Sequence, residues 1–110
     1  MLKLYILNNA VVPWPVKLTL PASQPAEQDV DLSFTAHFHI LPDAEVATLG
    51  KQSDQALLDR VLVGWDGVED ETGPLPCTLD NIARLTAYSG LRVKLIGAYF
   101  ECLSGALRKN

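Results

Sequence analysis

Hydrophobic and polar residues alternate along much of the first 41 positions of the chain, which is the period of a β-strand with one solvated face. Residues 2–7 and 13–21 are rich in strand-forming residues, and a polar stretch with prolines at residues 21–28 predicts an exposed loop. The alternation is most complete over residues 29–41, where one face would carry Val30, Leu32, Phe34, Ala36, Phe38 and Ile40. This part of the chain therefore predicts a small antiparallel sheet.

From Pro42 onward the apolar spacing changes to that of amphipathic helices. Ser53 and Thr78 precede two of these patterns and are expected to act as N-caps. Gly50 and the pair Ser89-Gly90 are interpreted as helix ends. The pattern predicts helices over residues 42–50, 54–65, 79–88 and 91–110.

This order, sheet first and helices second, predicts an α+β fold. A chain of 110 residues, 48% hydrophobic and 20% charged, is expected to form one globular domain over residues 1–110. Its β-rich part would be residues 1–41, and residues 42–110 would form three to four helices. The net charge of −4 disfavours nucleic acid as a partner. No apolar run reaches the ~20 residues of a membrane span, so we expect a cytoplasmic protein without membrane contact.

The last predicted helix has two adjacent apolar stripes. One contains Val93, Ile96, Phe100, Leu103 and Leu107, and the other contains Leu95, Tyr99 and Cys102. A helix on a small sheet needs only one stripe for the core. We expect the first stripe to be buried, so Leu95 and Tyr99 are predicted to bind a partner, which could be a second copy of the chain. The alternative is that both stripes are buried within the monomer.

Two stretches contain residues that could carry chemistry. His37 and His39 share one face of a strand and could chelate a metal if a third ligand came from elsewhere. No suitable neighbour accompanies them, so we interpret them as solvated strand side chains. The acidic stretch at residues 64–78 lacks the spacing of a calcium loop. Counted from Asp66, positions 3, 6 and 12 of such a loop would need a ligand, a glycine and a bidentate glutamate, but they hold Val68, Glu71 and Cys77. We therefore predict no catalytic residue, no metal and no cofactor.

The order of residues from position 62 to the C-terminus resembles a family of phage tail assembly chaperones. The likeness consists of a Gly-Trp-acid-Gly-Val turn, an acidic stretch with Gly and Pro-Leu-Pro, a Thr-capped short helix, and a longer helix ending in Gly-x-x-x-Lys-Asn. It covers about half of the chain, and residues 1–41 carry no matching motif. The residues concerned are Gly64, Trp65, Asp66, Gly67, Val68, Gly73, Pro74, Leu75, Pro76, Thr78, Asn81, Tyr99, Gly105, Lys109 and Asn110. Cys77 stands where the family more often has an aromatic residue.

The same residues suggest that the acidic stretch is a rigid turn rather than a cation site. Gly64 and Gly67 would let the chain leave a helix around Trp65, whose indole would hold the turn against the core. A Gly-Pro pair would stiffen the exit, and the acids would keep the turn in water. The predicted structural-turn residues are Gly64, Trp65, Asp66, Gly67, Gly73 and Pro74.

The resemblance implies a function without catalysis. Chaperones of this family bind the long tape measure protein in the infected cell, keep it soluble and recruit tail tube subunits. The expected partners are therefore the tape measure protein and the tail tube protein, in the host cytoplasm and not in the mature virion. Two other functions stay open: a small structural phage protein (a head–tail joining or tail component), and a metal-dependent enzyme built on His37 and His39. Purified particles would test the first, and metal analysis of the protein would test the second.

Overall fold

The structure is a computed structural model that describes residues 1–21 and 28–106. Its three longer strands form an antiparallel sheet in the order β1-β2-β3, and β4 and β5 form a separate short hairpin. In chain order the elements are α1 (Leu4–Asn8), β1 (Val11–Leu20), β2 (Val30–His39), α2 (Asp43–Gln52), α3 (Asp54–Val61), β3 (Leu62–Asp66), β4 (Glu69–Asp70), β5 (Gly73–Pro74), α4 (Leu79–Thr86) and α5 (Ser89–Ala106). The predicted α+β class is confirmed. The predictions for residues 22–27 and for 107–110, among them Leu107, Lys109 and Asn110, lie outside the described residues.

One face of the sheet is covered by helices. α5 lies along β1, and α3 lies against β2 and α5. The alternation predicted for β2 is confirmed at its C-terminal half, where Ala36 and Phe38 are buried and His37 and His39 turn to the other face. Towards the N-terminal end of β2 the same apolar face continues, but Val30 and Leu32 are exposed. The helices therefore cover only part of this face.

β1 is an edge strand that cannot readily accept another strand. Its register pairs Val11 with His39, and the amide of Ile40 donates to the carbonyl of Ala10 at 3.0 Å. Because hydrogen-bonded and non-bonded pairs alternate in an antiparallel ladder, the nitrogens of Pro13 and Pro15 face the free edge. Prolines at these positions remove the donors that an added strand would need.

The first predicted strand is wrong, because residues Leu4–Asn8 form the short helix α1. β2 pairs with β1 on one side and with β3 on the other, so the N-terminus cannot join β2, and the free edge of β1 lacks donors at Pro13 and Pro15. The side-chain amide of Asn9 donates to the carbonyl of Tyr5 at 2.8 Å and closes the helix. No residue of α1 is buried.

The helix predicted over residues 54–65 ends at Val61, and the chain continues as strand β3. The sheet therefore takes a strand from the part predicted to be helical, which corrects the division at residue 41. On β3, Leu62 pairs with Phe38 and Gly64 pairs with His37, so Val63 is an extra residue at a β-bulge. The bulge lets Leu62 and Trp65 both face the core although they are three residues apart. Their spacing therefore imitates that of a helix.

The predicted N-caps are confirmed, and the predicted glycine breaks are wrong. The amide of Ala56 donates to Ser53 Oγ at 2.9 Å, and the amide of Asn81 donates to Thr78 Oγ1 at 3.2 Å. α2 continues through Gly50 to Gln52, and α5 begins at Ser89. In the described part of the chain, the region after residue 42 thus contains four helices, within the predicted number.

The two stripes of α5 were assigned to the wrong faces. Leu95 and Tyr99, the predicted partner-binding residues, are completely buried, whereas Val93 is 64% exposed and Phe100 is 47% exposed. Of the stripe predicted to be buried, only Ile96 and Leu103 among the described residues pack against the core, and both are partly buried. α5 lies along the sheet with the Tyr99 side facing it, so Leu95 and Tyr99 are core residues in this fold. A partner cannot reach them unless the core opens.

The hydroxyl of Tyr99 explains why this side of α5 faces inward. It donates to the carbonyl of His39 at 3.0 Å and accepts from the amide of Leu41 at 3.3 Å. Both backbone groups lie where β2 ends, so the sheet itself offers them no neighbour. The ring of Tyr99 also meets Phe38 edge-on, with 5.2 Å between centroids.

Candidate functional site

The acidic stretch folds into a tight corner, which we define as residues 66–78. Gly67 has φ of 88° and Gly73 has φ of 121°, backbone conformations that favour glycine. Between them β4 pairs with β5, Glu69 opposite Pro74 and Asp70 opposite Gly73. The expectation that the corner leaves a helix at Gly64 is wrong, because Gly64 lies within β3 beside His37.

Trp65 connects this corner to the core. Its ring is buried on the helix-covered face of the sheet, and its Nε1–H donates to the carbonyl of Leu75 at 2.8 Å. The amide of Leu75 in turn donates to the carbonyl of Val68 at 2.9 Å. The chain is thereby returned alongside β3 before Thr78 starts α4. These contacts explain why the corner needs Trp65, and why Leu75 follows two residues after Gly73.

The two aspartates of the corner, Asp66 and Asp70, have separate partners rather than a common centre. Asp66 lies 2.8 Å from Nε2 of His37. Asp70 accepts from the amide of Thr72 at 2.9 Å and from its hydroxyl at 2.6 Å, and it pairs with Arg84 at 3.2 Å. The hydrogen bonds from Thr72, with a smaller contribution from Arg84, hold the pKa of Asp70 below its ordinary value. Within residues 1–21 and 28–106, no three His, Cys, Asp or Glu side chains form a group that could hold a metal.

The two histidines also have separate partners. Arg60 lies 3.0 Å from Nδ1 of His39, and the carbonyl of Asn8 lies 3.1 Å from its Nε2. Because a guanidinium only donates, Nδ1 is the acceptor and the Nε2–H of His39 donates to Asn8. This ring therefore links α1, β2 and α3. His37 instead faces Asp66, so each imidazole is engaged in its own structural contact.

The thiols are poorly suited to nucleophilic chemistry. Cys77 and Cys102 are free cysteines, the first half-buried and the second buried. Burial raises the pKa of both thiols, so they stay protonated at neutral pH. A protonated thiol is a weak nucleophile. Cys102 lies in the core on the same side of α5 as Leu95 and Tyr99.

One apolar surface lies at the end of the β1–β2 hairpin. Beyond Val16 and Phe34, where the core ends, the helix-facing side of the hairpin continues with two cross-strand pairs, Leu18 opposite Leu32 and Leu20 opposite Val30. We call Leu18, Leu20, Val30 and Leu32 the overhang. Leu20 and Val30 are each 52% exposed and Leu32 is 42% exposed. The overhang is a piece of sheet face to which the described residues supply no helix.

A second apolar surface runs along α5. A groove lies between this helix and Trp14 of β1, and it holds two adjoining cavities of about 720 and 530 Å³. Both are lined by Trp14, Gly97 and Glu101, and the exposed side chains of Val93 and Phe100 stand at its wall. A Cβ on Gly105 would meet the Trp14 ring at 2.6 Å, so the ring closes one end of the groove.

The sequence prediction missed both surfaces, although a signal existed for each. The apolar alternation of β1 and β2 continues to the end of both strands, which indicates the overhang. In α5, Val93 and Phe100 are seven residues apart, and so are Gly90 and Gly97. Such heptad spacing is typical of a helix face that packs on another helix.

Comparison with known proteins adds no assignment: no family model, no curated protein and no solved structure matches this chain. Within the described residues, no helix is both long enough and apolar enough to cross a membrane. The resemblance of residues 62–110 to tail assembly chaperones stays a prediction.

Proposed function

We propose that this protein is a phage or prophage tail assembly chaperone that binds the tape measure protein without catalysis. The order of residues in the acidic corner and the following helices carries the proposal. Several of these residues stabilise the corner: Gly67 and Gly73 adopt left-handed backbone conformations, and the indole of Trp65 donates a hydrogen bond to the carbonyl of Leu75. The motif is thus the sequence of a specific corner and not a chance acidic run, and this supports the resemblance.

The overhang is the surface that we assign to the tape measure protein. The same face of the hairpin is covered by α5 a few residues away, so the chemistry that it accepts is that of an apolar helix face. A tape measure protein is a long helical chain, which offers such faces repeatedly. The net charge of −4 supports this function, because a charged carrier keeps an apolar client in solution.

Partners and location follow from this function. The chaperone would act in the host cytoplasm, recruit the tail tube protein to the bound tape measure protein, and leave before the tail is complete. It would need no cofactor. Mass spectrometry of purified particles tests whether the protein leaves before the tail is complete. A structural tail protein would be present in a constant copy number, and a chaperone would be absent.

The direct test is co-expression with the tape measure protein of the same genome, followed by affinity capture. We expect the wild type to keep the tape measure protein soluble and to retain it on the column. The double variant Leu20→Glu/Leu32→Glu places two charges on the overhang and should lose most of this capture. Its melting temperature should stay near that of the wild type, because both side chains are already exposed.

Leu79→Glu is the matched control. Leu79 is also an exposed leucine, and it is the first residue of α4, where a glutamate suits the helix N-terminus. This variant should capture the tape measure protein as the wild type does. A wild type that captures nothing would refute the function. Full capture by the overhang variant would refute only the site.

A further inference from the structure

The exposed side of α5 has the pattern of a helix-pairing seam. Gly90, Val93, Gly97, Phe100 and Ser104 follow one another at alternating steps of three and four residues, and all of them are exposed. This is the spacing of a and d positions in a coiled coil. The seam spans roughly 21 Å of helix. It lies in the groove beside Trp14, where no other element of the described chain covers it.

The side chains of the seam alternate in size in a way that fits a second copy of the same helix. Consider two copies of α5 that run antiparallel about a two-fold axis between Gly97 and Phe100. Gly97 of each copy then lies opposite Phe100 of the other, and Val93 lies opposite Ser104. Each layer thus combines a larger and a smaller side chain. The space above Gly97 is open, because a Cβ there would meet nothing within 4 Å, so it can receive the Phe100 ring of the other copy.

Charges beside the seam select the same arrangement. Lys94 and Glu101 are both exposed and occupy equivalent flanking positions one heptad apart. In the antiparallel pair, Lys94 of each copy comes close to Glu101 of the other, so two opposite-charge pairs form by symmetry. A parallel pair in register would instead place Gly97 opposite Gly97 and leave both charges without an opposite partner.

We propose that two copies of this chain associate through antiparallel pairing of α5 along Gly90, Val93, Gly97, Phe100 and Ser104, with Lys94 of each copy facing Glu101 of the other. The interface is isologous, as two-fold symmetry requires. It is separate from the overhang on the hairpin, so it does not depend on the tape measure protein. The dimer would present two overhangs to a client.

The test uses the purified full chain in sedimentation equilibrium from about 1 µM to about 0.5 mM. The wild type should show a concentration-dependent monomer–dimer equilibrium. Lys94→Glu or Glu101→Lys alone replaces both attractive pairs with repulsive ones, so each variant should dimerise at least about tenfold more weakly. Mixing the two single variants restores opposite charges at both pairs, and the mixture should form heterodimers with near wild-type affinity.

Three further variants exclude indirect effects. Lys51→Glu and Glu71→Lys make the same charge changes at exposed positions away from α5 and should dimerise as the wild type does. Gly97→Gln fills the centre of the seam and should abolish the dimer, while its melting temperature stays equal or rises because glycine is a poor helix residue. A wild type that stays monomeric over this range overturns the proposal. So does a dimer that ignores the single charge reversals, or a mixture that fails to associate.

Discussion

Tyr99→Phe is the substitution that most directly tests the assignment of the faces of α5. The change removes one oxygen atom and keeps the ring that packs edge-on against Phe38. It leaves two backbone groups without their hydrogen-bond partner, the buried amide of Leu41 and the partly buried carbonyl of His39. Because the ring stays in place, no large cavity forms, and the effect reports on the hydroxyl alone.

The expected loss follows from the cost of an unsatisfied buried group. Leaving one such donor or acceptor unpaired costs about 1–3 kcal/mol. Leu41 is buried, so we take its amide as the larger contribution. We expect the free energy of unfolding to fall by about 2 kcal/mol, which corresponds to a decrease of roughly 8 °C in melting temperature for a domain of this size.

Urea unfolding followed by circular dichroism measures this loss, with Tyr88→Phe as the matched control. Tyr88 is 72% exposed, so removal of its hydroxyl should change the stability by less than ~0.5 kcal/mol. Equal stability of the two variants would refute the hydrogen bonds that the Tyr99 hydroxyl makes to the end of β2. Tyr99→Glu should prevent folding altogether, because it buries a charge that has no partner.

The remaining predictions concern packing, the acidic corner and pH. Gly105→Ala should destabilise the fold by about 1–3 kcal/mol because its Cβ would clash with the Trp14 ring. Gly50→Ala, inside α2 with open space around it, should instead stabilise the fold by up to ~1 kcal/mol. Thermal melts of the two variants should therefore show melting temperatures shifted in opposite directions. Trp65→Ala should cost about 3 kcal/mol and Trp65→Phe only about 1 kcal/mol, since the latter loses chiefly the bond to the Leu75 carbonyl. No measurable loss of stability for Trp65→Phe in urea unfolding would contradict that bond. Burial raises the pKa of the Cys102 thiol above its ordinary value of 9.0, so its contribution to stability is complete well below that pH and falls as the thiol of the unfolded chain ionises at higher pH. Cys102→Ala should therefore lose less stability than the wild type between about pH 8 and about pH 10, as measured by urea midpoints.

Features that depend on a few neighbouring residues could be predicted from the sequence. The N-caps Ser53 and Thr78 were recognised because a side-chain oxygen satisfies an amide three residues further on, which is a local contact. The alternation of β2 was recognised for a similar reason, since successive side chains of any strand point to opposite faces. The α+β class follows from these two periods.

Features that depend on distant neighbours could not be predicted in this way. Residues 2–7 have the composition of a strand, but composition does not show which strand edge is open to them. β2 has neighbours on both sides, and prolines interrupt the free edge of β1. Leu62 and Trp65 have helical spacing, but a bulge on β3 lets a strand achieve the same burial. In both cases local preference was overridden by the pairing of segments far apart in the chain.

The candidate surfaces show the same limit most clearly. Periodicity revealed that α5 has two apolar stripes, and nothing in it distinguishes the buried one from the exposed one. The distinction was made by the end of β2, where the His39 carbonyl and the Leu41 amide need the hydroxyl that Tyr99 carries and Phe100 lacks. Hydrophobic burial is non-directional and accepts either stripe. A hydrogen bond requires one atom in one place, so only the tertiary structure could decide which face of α5 is left for a partner.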